Sequence, residues 1–268
     1  RGGGVGVVEE SRFIGIAPGA VVNTGLATWA LYNDLPGEKL AVLPKLPGVP
    51  LTAFMGPLGV TGMTAYFGLL DIGQPKAGET VVVSAAAGAV GSMVGQIAKI
   101  HGCRVVGIAG STDKCRWLTD VAGFDAAIDY KSEDVGAALD RHCPAGIDIN
   151  FENVGGPVMD SVIARLNDFS RMPLCGLISV YNATKPVPGP FNFGNLLMRR
   201  TLLKGFIVLD YLDRFPAGMR AMADWLAAGK IKFETDIVHG LEIAPAALDR
   251  LFSGKNLGKL LVKVSDPP

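Results

Sequence analysis

The sequence predicts an α/β fold in which a doubly wound parallel sheet is joined to a second, smaller β-rich part. Between residues 59 and 230, short apolar runs rich in β-branched residues alternate with stretches of helical period. These stretches are long enough for right-handed crossovers between parallel strands. Outside them the pattern is strand and Pro/Gly loop. We therefore assign 59–230 to the sheet domain, and 1–58 with 231–268 to the smaller one.

The first part of the chain is predicted as short strands and turns. Strands are expected at residues 5–9, 20–22 and 29–32, whereas residues 37–57 are rich in Pro and Gly and show no helical period. A fragment of this size is too short to bury a good core by itself. We expect it to pack against the rest of the molecule.

From residue 59 onward, helices and strands are expected to alternate. The predicted strands are 80–83, 103–109, 126–129, 147–152, 172–179 and 204–209. The predicted helices are 62–70, 157–166, 214–228, one ending near 121, one ending at 142 and one before 204. A tail of strand 235–238, helix 245–252 and strand 259–264 follows. We expect this tail to join the first residues in one small β domain, with a cleft between the two domains.

A candidate anion site follows the buried strand 80–83. The glycines are spaced as Ala85-x-x-Gly88-x-x-Gly91, where a turn leads into a helix. Unpaired N–H groups and the helix dipole converge there. In the dinucleotide fingerprint of Rossmann-type sheets, Gly88 would let the backbone approach a pyrophosphate and Gly91 would let the helix pack on the strand. The first glycine is replaced by Ala85. Such turns also serve plain helix–sheet packing, so that alternative stays open.

The end of the next strand indicates which coenzyme such a site would select. NAD-binding units carry a carboxylate there for the ribose 2′-hydroxyl. This chain has Gly110 and Ser111 instead, and Lys114 lies one turn further on. A missing anion beside a cation suits a 2′-phosphate, so the pattern favours NADPH over NADH. Alternatively, Ser111 caps the next helix and Lys114 is a solvated first-turn residue, and both roles can hold together.

Bulk composition excludes several functional classes. The 268 residues carry no net charge, which argues against nucleic acid as a partner and against anionic lipid. The four cysteines lack CxxC spacing and the three histidines lack ligand spacing, so we expect no metal site and a reducing, cytoplasmic location. Two uncharged runs, 46–70 and 81–98, are too broken by Pro or Gly for a membrane span. Because the chain starts Arg-Gly-Gly-Gly without Met or a signal peptide, we expect a truncated or processed form.

Several phrases together resemble one family. They are GMTAYFGLLD (62–71), AAAGAVG (85–91), GQIAK (95–99), FENVGG (151–156), CGLISVYN (175–182) and GKNLGK (254–259). The combination is similar to the zinc-independent branch of the medium-chain dehydrogenase/reductase superfamily, in its leukotriene B4 12-hydroxydehydrogenase / prostaglandin reductase / curcumin reductase group. The resemblance runs from about Arg1 to Val264. It implies a Rossmann-type doubly wound sheet plus a GroES-like β domain that is N-terminally truncated here.

The resemblance also implies a set of NADPH-binding residues. Gly88, Ala89, Val90 and Gly91 would hold the pyrophosphate, and Ser111, Lys114 and Tyr130 would lie at the 2′-phosphate end. The ribose and nicotinamide would be lined by Asn153, Cys175, Gly176, Ile178, Ser179, Tyr181, Phe206, Ile207, Val208 and Asn256. Three of these have structural alternatives: Tyr130 could cover a strand end, Asn153 could cap the turn at 155–156, and Asn256 could hold a tight turn with Gly258.

The implied activity is reduction of the C=C bond of a small apolar enone or enal, by hydride transfer from nicotinamide C4 to the β-carbon. Where zinc-dependent relatives carry Gly-His-Glu, this chain has Gly2 and Gly3, so we expect no metal. The developing oxyanion would then need a ribose hydroxyl, a tyrosine or a backbone N–H. Tyr181 is the first catalytic candidate, and packing beneath the loop 186–190 is its structural alternative. That loop could form a lid.

Two other functions stay open from the sequence. One is an NADPH quinone reductase of the neighbouring branch, which shares the coenzyme site. The other is a non-catalytic NADPH-binding structural or regulatory protein. The family's habit of pairing sheets edge to edge implies a homodimer.

Overall fold

The computed structural model describes residues 2–266. Its strands are β1 (Gly2–Val7), β2 (Val21–Ala27), β3 (Ala41–Val42), β4 (Thr80–Val83), β5 (Arg104–Ala109), β6 (Ala126–Asp129), β7 (Ile147–Phe151), β8 (Leu166–Leu174), β9 (Leu202–Gly205), β10 (Thr235–His239) and β11 (Lys259–Lys263). Its α-helices are α1 (Val60–Phe67), α2 (Gly91–Ile100), α3 (Thr112–Asp120), α4 (Val135–His142), α5 (Gly156–Ile163), α6 (Gly194–Met198), α7 (Phe215–Ala227) and α8 (Ala244–Phe252). Within this range, no helix is long and apolar enough to cross a membrane.

Six strands form one parallel sheet in the order β6-β5-β4-β7-β8-β9. This is the order of two βαβαβ halves placed side by side, and its direction reverses between β4 and β7. In open sheets of this kind ligands bind at the carboxyl ends of the strands at that reversal. The predicted doubly wound fold is confirmed.

The core lies on both faces of this sheet. Successive β4 residues point to opposite faces. Val81 and Val83 therefore pack in the cluster that contains Met63 of α1 and Ile97 of α2, while Val82 packs in the cluster that contains Leu139 of α4. Burial on both faces explains why β4 is a continuous apolar run rather than an alternating one.

The predicted strand 172–179 is wrong in its second half. β8 begins earlier and ends at Leu174, and a short 3₁₀ helix occupies Ile178–Val180. The run after Leu174 has strand-like composition, but its N–H groups bond to the loop after β7 instead of to a neighbouring strand. Ile178 N donates to Asn153 O (3.1 Å) and Ser179 N donates to Val154 O (3.0 Å). The predicted strand 204–209 likewise shifts, because β9 ends at Gly205.

The N-terminal residues form a separate antiparallel sheet of β1, β2 and β3. No strand occupies 29–32 in the described part of the chain. Instead the Asn33 side chain closes a turn there, since its Oδ1 accepts from Thr28 N (3.1 Å) and its Nδ2 donates to Thr28 O (3.2 Å). In the tail, β10 and β11 pair in parallel with each other. A single β domain made of both segments stays a prediction.

Candidate functional site

The chain leaves β4 through a strained turn, which we call the glycine bend (residues 84–91). Ala85 has a φ of +48°, the left-handed region that favours glycine. This is the position at which the fingerprint has its first glycine. A Cβ on Gly91 would lie 2.5 Å from Ala85 O and 2.8 Å from Ala86 Cα, so only glycine fits where α2 passes over the bend.

The glycine bend presents free hydrogen-bond donors. Gly88 N donates to Ala85 O (3.0 Å), and Ser92 N donates to Gly88 O (3.0 Å). Within residues 2–266, the N–H groups of Val90 and Gly91 find no acceptor, whereas the N–H group of Ala89 faces Gly258 O across the bridge between Gly88 and Gly258. They lie at the N-terminus of the ten-residue helix α2, where the helix dipole favours anions. This cradle fits a pyrophosphate group.

The predicted 2′-phosphate end is also assembled. Ser111 caps α3, accepting from Lys114 N (3.3 Å), and the Tyr130 ring lies against Gly110, where a Cβ would come within 2.7 Å of it. Lys114 is half-buried rather than solvated, and its Nζ donates to Gly254 O (2.7 Å). The position of Ser111 is therefore compatible with both of its expected roles, the cap of α3 and a contact to the 2′-phosphate.

Lys131 is a second cation at this end that the sequence analysis missed. Burial, and then the charge of Lys131, lower the pKa of Lys114, so the two ammonium groups share one region. Lys131 also lies over the Tyr130 ring, 5.8 Å from its centroid. Its position directly after Tyr130 at the end of β6 could have indicated it.

A loop of the tail, residues 254–258, connects this end to the glycine bend. Gly258 N donates to Ala87 O (2.8 Å), and Gly258 forms a parallel bridge with Gly88. Asn256 is buried and its Nδ2 donates to Gly258 O (3.0 Å), which is the tight turn named as its structural alternative. The tail thus contributes one wall of the site.

At the reversal between β4 and β7, a hydrogen-bonded group joins the two strand ends. Asn153 N donates to Ser84 Oγ (2.8 Å) and Asn153 Nδ2 donates to Ser84 O (2.7 Å). The turn after Asn153 is held by Glu152, whose Oε1 accepts from Val154 N (2.7 Å) and Gly155 N (2.8 Å). Asn153 therefore bonds to Ser84. The capping of the turn at 155–156, which was the structural alternative for Asn153, is done by Glu152 instead.

A cleft of about 420 Å³ opens beside this group, at the ends of β8 and β9. It is lined by Leu174, Cys175, Gly176, Leu177, Tyr181, Gly205, Phe206, Ile207 and Asp210. Five predicted site residues are among them. Of the others, Val208 is buried in the core, and Ile178 and Ser179 bond to the loop after β7. Burial, and then the charge of Glu152, raise the pKa of the Cys175 thiol to about 12, so this thiol stays protonated.

Tyr181 carries the one phenol that lines this cleft. Its Oη accepts from Leu177 N (3.2 Å), which leaves the phenolic hydrogen free to donate. A Cβ on Gly176 would come within 2.9 Å of that oxygen, so Gly176 makes room for the side chain. Tyr181 is 60% exposed and is therefore not packed beneath the loop 186–190.

The structure thus places most of the predicted residues along one edge of the sheet, from Lys114 through the glycine bend to the cleft, whereas Val208 lies in the core. Ser84, Glu152 and Asp210 have no role in the predictions from sequence. A glutamate directly after the largely buried strand β7 was the available signal for Glu152. Within residues 2–266, no cluster of three or more His, Cys, Asp or Glu side chains is arranged to hold a metal ion.

Comparison with known proteins places the chain in a family. Residues 89–227 match the family model described as zinc-binding dehydrogenase. The chain is 45% identical over 269 residues to the NADPH-dependent curcumin reductase of Escherichia coli, covering 98% of this chain and 77% of that protein. It is 44% identical over 265 residues to the NADP⁺-dependent 2-alkenal reductase of Nicotiana tabacum, covering 98% and 77%.

A solved structure gives the same result. The crystal structure of CurA from Vibrio vulnificus in complex with NADPH superposes with a TM-score of 0.92 and 47% identity, covering 99% of this chain and 80% of that one. The chain spans 65% of the length of a further relative, the Bacillus subtilis protein YfmJ. The predicted family is therefore confirmed: the chain belongs to the zinc-independent group of the medium-chain dehydrogenase/reductase superfamily, with the curcumin and 2-alkenal reductases.

Proposed function

We propose that this protein reduces the C=C bond of α,β-unsaturated ketones and aldehydes with NADPH. The observation that carries the proposal is the glycine bend, with the free N–H groups of Val90 and Gly91 beside a strand end that offers a lysine and no carboxylate. The curcumin and 2-alkenal reductases named above support the substrate class, and the NADPH complex of CurA supports the coenzyme.

When bound, the coenzyme supplies a hydride from nicotinamide C4. The N–H groups of Ala89, Val90 and Gly91 would hold its pyrophosphate, and Lys114 would exchange the Gly254 carbonyl for the 2′-phosphate. The apolar lining of the cleft, with Leu177 and Phe206, would exclude water and bind an apolar enone. The Tyr181 hydroxyl would donate to the carbonyl oxygen, where negative charge develops during the reaction.

The domain boundaries belong to this proposal. Residues 59–230 would form the coenzyme domain, and 1–58 with 231–268 the substrate-side GroES-like domain. The contact of the 254–258 loop with Ala87 supports this division, because it brings the tail to the edge of the coenzyme site.

An activity panel tests the proposal. NADPH oxidation is followed at 340 nm with 2-alkenals, cyclic and acyclic enones, and quinones, and in parallel with the saturated analogues. We expect turnover of the enones and enals, with the saturated ketone or aldehyde as product. Consumption with quinones alone would favour a quinone reductase. Tight NADPH binding without consumption of any acceptor would favour a non-catalytic role.

We also infer a homodimer formed through β9. All four residues of this edge strand are exposed, including Leu202 and Leu203, so the strand offers unpaired backbone groups to a second copy. Light scattering after gel filtration should give twice the mass of one chain for the wild type. Leu203→Lys should give the mass of one chain, and an unchanged dimer in that variant would contradict pairing through this strand.

The cytoplasmic location is likewise a proposal. All four cysteines are free, and burial raises the pKa of Cys103, Cys115 and Cys143 to about 11. Such thiols suit a reducing compartment. Fractionation of the producing cells, with the protein followed by antibody, checks this location.

A further inference from the structure

Glu152 is a fully buried carboxylate with neutral hydrogen-bond partners. Its side chain accepts from Ser84 Oγ (2.9 Å), from the backbone N–H groups of Val154 and Gly155, and from Asn150 Nδ2 (3.0 Å). Within residues 2–266 it forms no salt bridge with Lys, Arg or His. Burying an ion is costly unless it is hydrogen-bonded, and these four donors hold the charge in place without cancelling it.

This charge lies beneath the predicted nicotinamide half of the site. Glu152 directly follows β7 at the strand reversal, and its backbone O accepts from Cys175 N (2.9 Å) in the cleft wall. Burial raises the pKa of the Cys175 thiol, and the negative charge of Glu152 raises this pKa further. Gly176 N, in the same wall, also donates to Glu152 O (3.2 Å), so Glu152 lies directly behind the wall of the cleft that Cys175 and Gly176 form.

We propose that Glu152 favours the oxidised, positively charged coenzyme over the reduced one, and so assists hydride donation. The inference rests on the proposed function. Bound there, the coenzyme would supply a hydride with its two electrons to the β-carbon of the enone, which would leave a positive charge on the nicotinamide ring and an enolate that takes a proton from solvent at its α-carbon. A fixed anion in a site with little water stabilises that charge as it develops.

A purely structural role is the competing explanation, since Glu152 also holds the turn that leads into α5. The Glu152→Gln variant separates the two. Glutamine keeps an oxygen for Ser84 and the two backbone N–H groups, and a turned-over Asn150 amide would accept from its NH₂ through Oδ1, in exchange for the bond that Asn150 Nδ2 now donates to Glu152. The charge is removed while the hydrogen-bonded turn is preserved.

Ser84→Ala is the matched control. It removes a hydrogen bond to Glu152 and the acceptor of Asn153 N, but it leaves the charge in place. Glu152→Asp is a second control, because it retains the charge and shortens the side chain. If the charge of Glu152 is responsible, Glu152→Gln should change the preference between NADP⁺ and NADPH, whereas Ser84→Ala and Glu152→Asp should retain it.

The experiment measures dissociation constants for NADP⁺ and for NADPH by titration calorimetry. In Glu152→Gln the ratio Kd(NADP⁺)/Kd(NADPH) should rise about tenfold, whereas Ser84→Ala and Glu152→Asp should stay within about twofold of the wild type. The ratio compares two ligands on one preparation, so a shared loss of folded protein cancels. An unchanged ratio in Glu152→Gln, or an equal rise in Ser84→Ala, would overturn the inference. Failure of the wild type to bind either coenzyme would instead overturn the proposed function.

Discussion

The glycine bend and the cleft recognise their ligands in different ways. At the bend, recognition is by main chain. Ala86 is fully buried, and no residue but glycine fits at position 91, because an added Cβ would lie less than 3 Å from Ala85 O and Ala86 Cα. In the cleft it is by side chains, and Tyr181 and Ile207 are 60% and 62% exposed. A backbone cradle suits the phosphate groups of a coenzyme that is the same in every reaction, whereas exposed side chains on loops can vary with the substrate.

Gly91→Ala should break the bend and have the largest effect. The new Cβ would lie 2.5 Å from Ala85 O, so α2 must move away from β4. We expect a loss of about 3 kcal/mol in the free energy of unfolding and at least about tenfold weaker NADPH binding. Denaturant unfolding and NADPH titration measure the two effects.

Gly88→Ala is the matched control for that variant. Its Cβ would lie 3.2 Å from Ala85 O, a contact that a small shift relieves. We expect a stability close to that of the wild type, with NADPH affinity reduced because the methyl group enters the phosphate cradle. Equal destabilisation by the two alanines would contradict the steric account of the bend.

Tyr181→Phe tests the cleft in the same way. If the phenol donates to the substrate oxygen, kcat should fall by roughly tenfold or more while the KM for NADPH is unchanged. Tyr66→Phe serves as a control, because Tyr66 of α1 packs against Trp225 of α7. Unaltered kinetics in Tyr181→Phe would remove this residue from the mechanism.

Lys114→Ala sharpens the comparison at the adenosine end. We expect the KM for NADPH to rise by about tenfold and the KM for NADH to change little, since only NADPH carries the 2′-phosphate. Arg116→Ala on the same helix is the control, because Arg116 is exposed and pairs with Asp113. An equal effect of Lys114→Ala on both coenzymes would contradict the assignment.

The same lysine gives a pH dependence. Because burial and Lys131 lower the pKa of Lys114, its charge is lost at a lower pH than that of an ordinary lysine. The protonated form binds the phosphate, so the preference for NADPH over NADH should decline as the pH rises through that lowered pKa. Parallel KM measurements between neutral and alkaline pH, with Lys114→Arg as comparison, check this.

Ala85→Gly should give the smallest effect, and in the stabilising direction. The left-handed φ of +48° strains alanine by about 1 kcal/mol, which glycine avoids. We expect a gain of that size or less in unfolding free energy, because glycine also adds freedom to the unfolded chain. Ala86→Gly, at a neighbouring residue without positive φ, should destabilise. A loss of stability in both variants would argue against strain at Ala85.

Local rules explain what the sequence could predict. The bend was predictable because β-branched residues, spaced glycines and a helical period lie within twenty consecutive residues. The Glu152 network was not, because its bond to Ser84 joins residues 68 positions apart. The strand predicted at 172–179 failed for a similar reason, since the N–H groups of Ile178 and Ser179 are taken by the loop after β7.

The most direct test of the account is a crystal structure of the protein with NADPH. We expect pyrophosphate oxygens within hydrogen-bond distance of the N–H groups of Ala89, Val90 and Gly91, and the 2′-phosphate beside Lys114. A coenzyme bound with its phosphates elsewhere, or a glycine bend left empty at saturating NADPH, would contradict it.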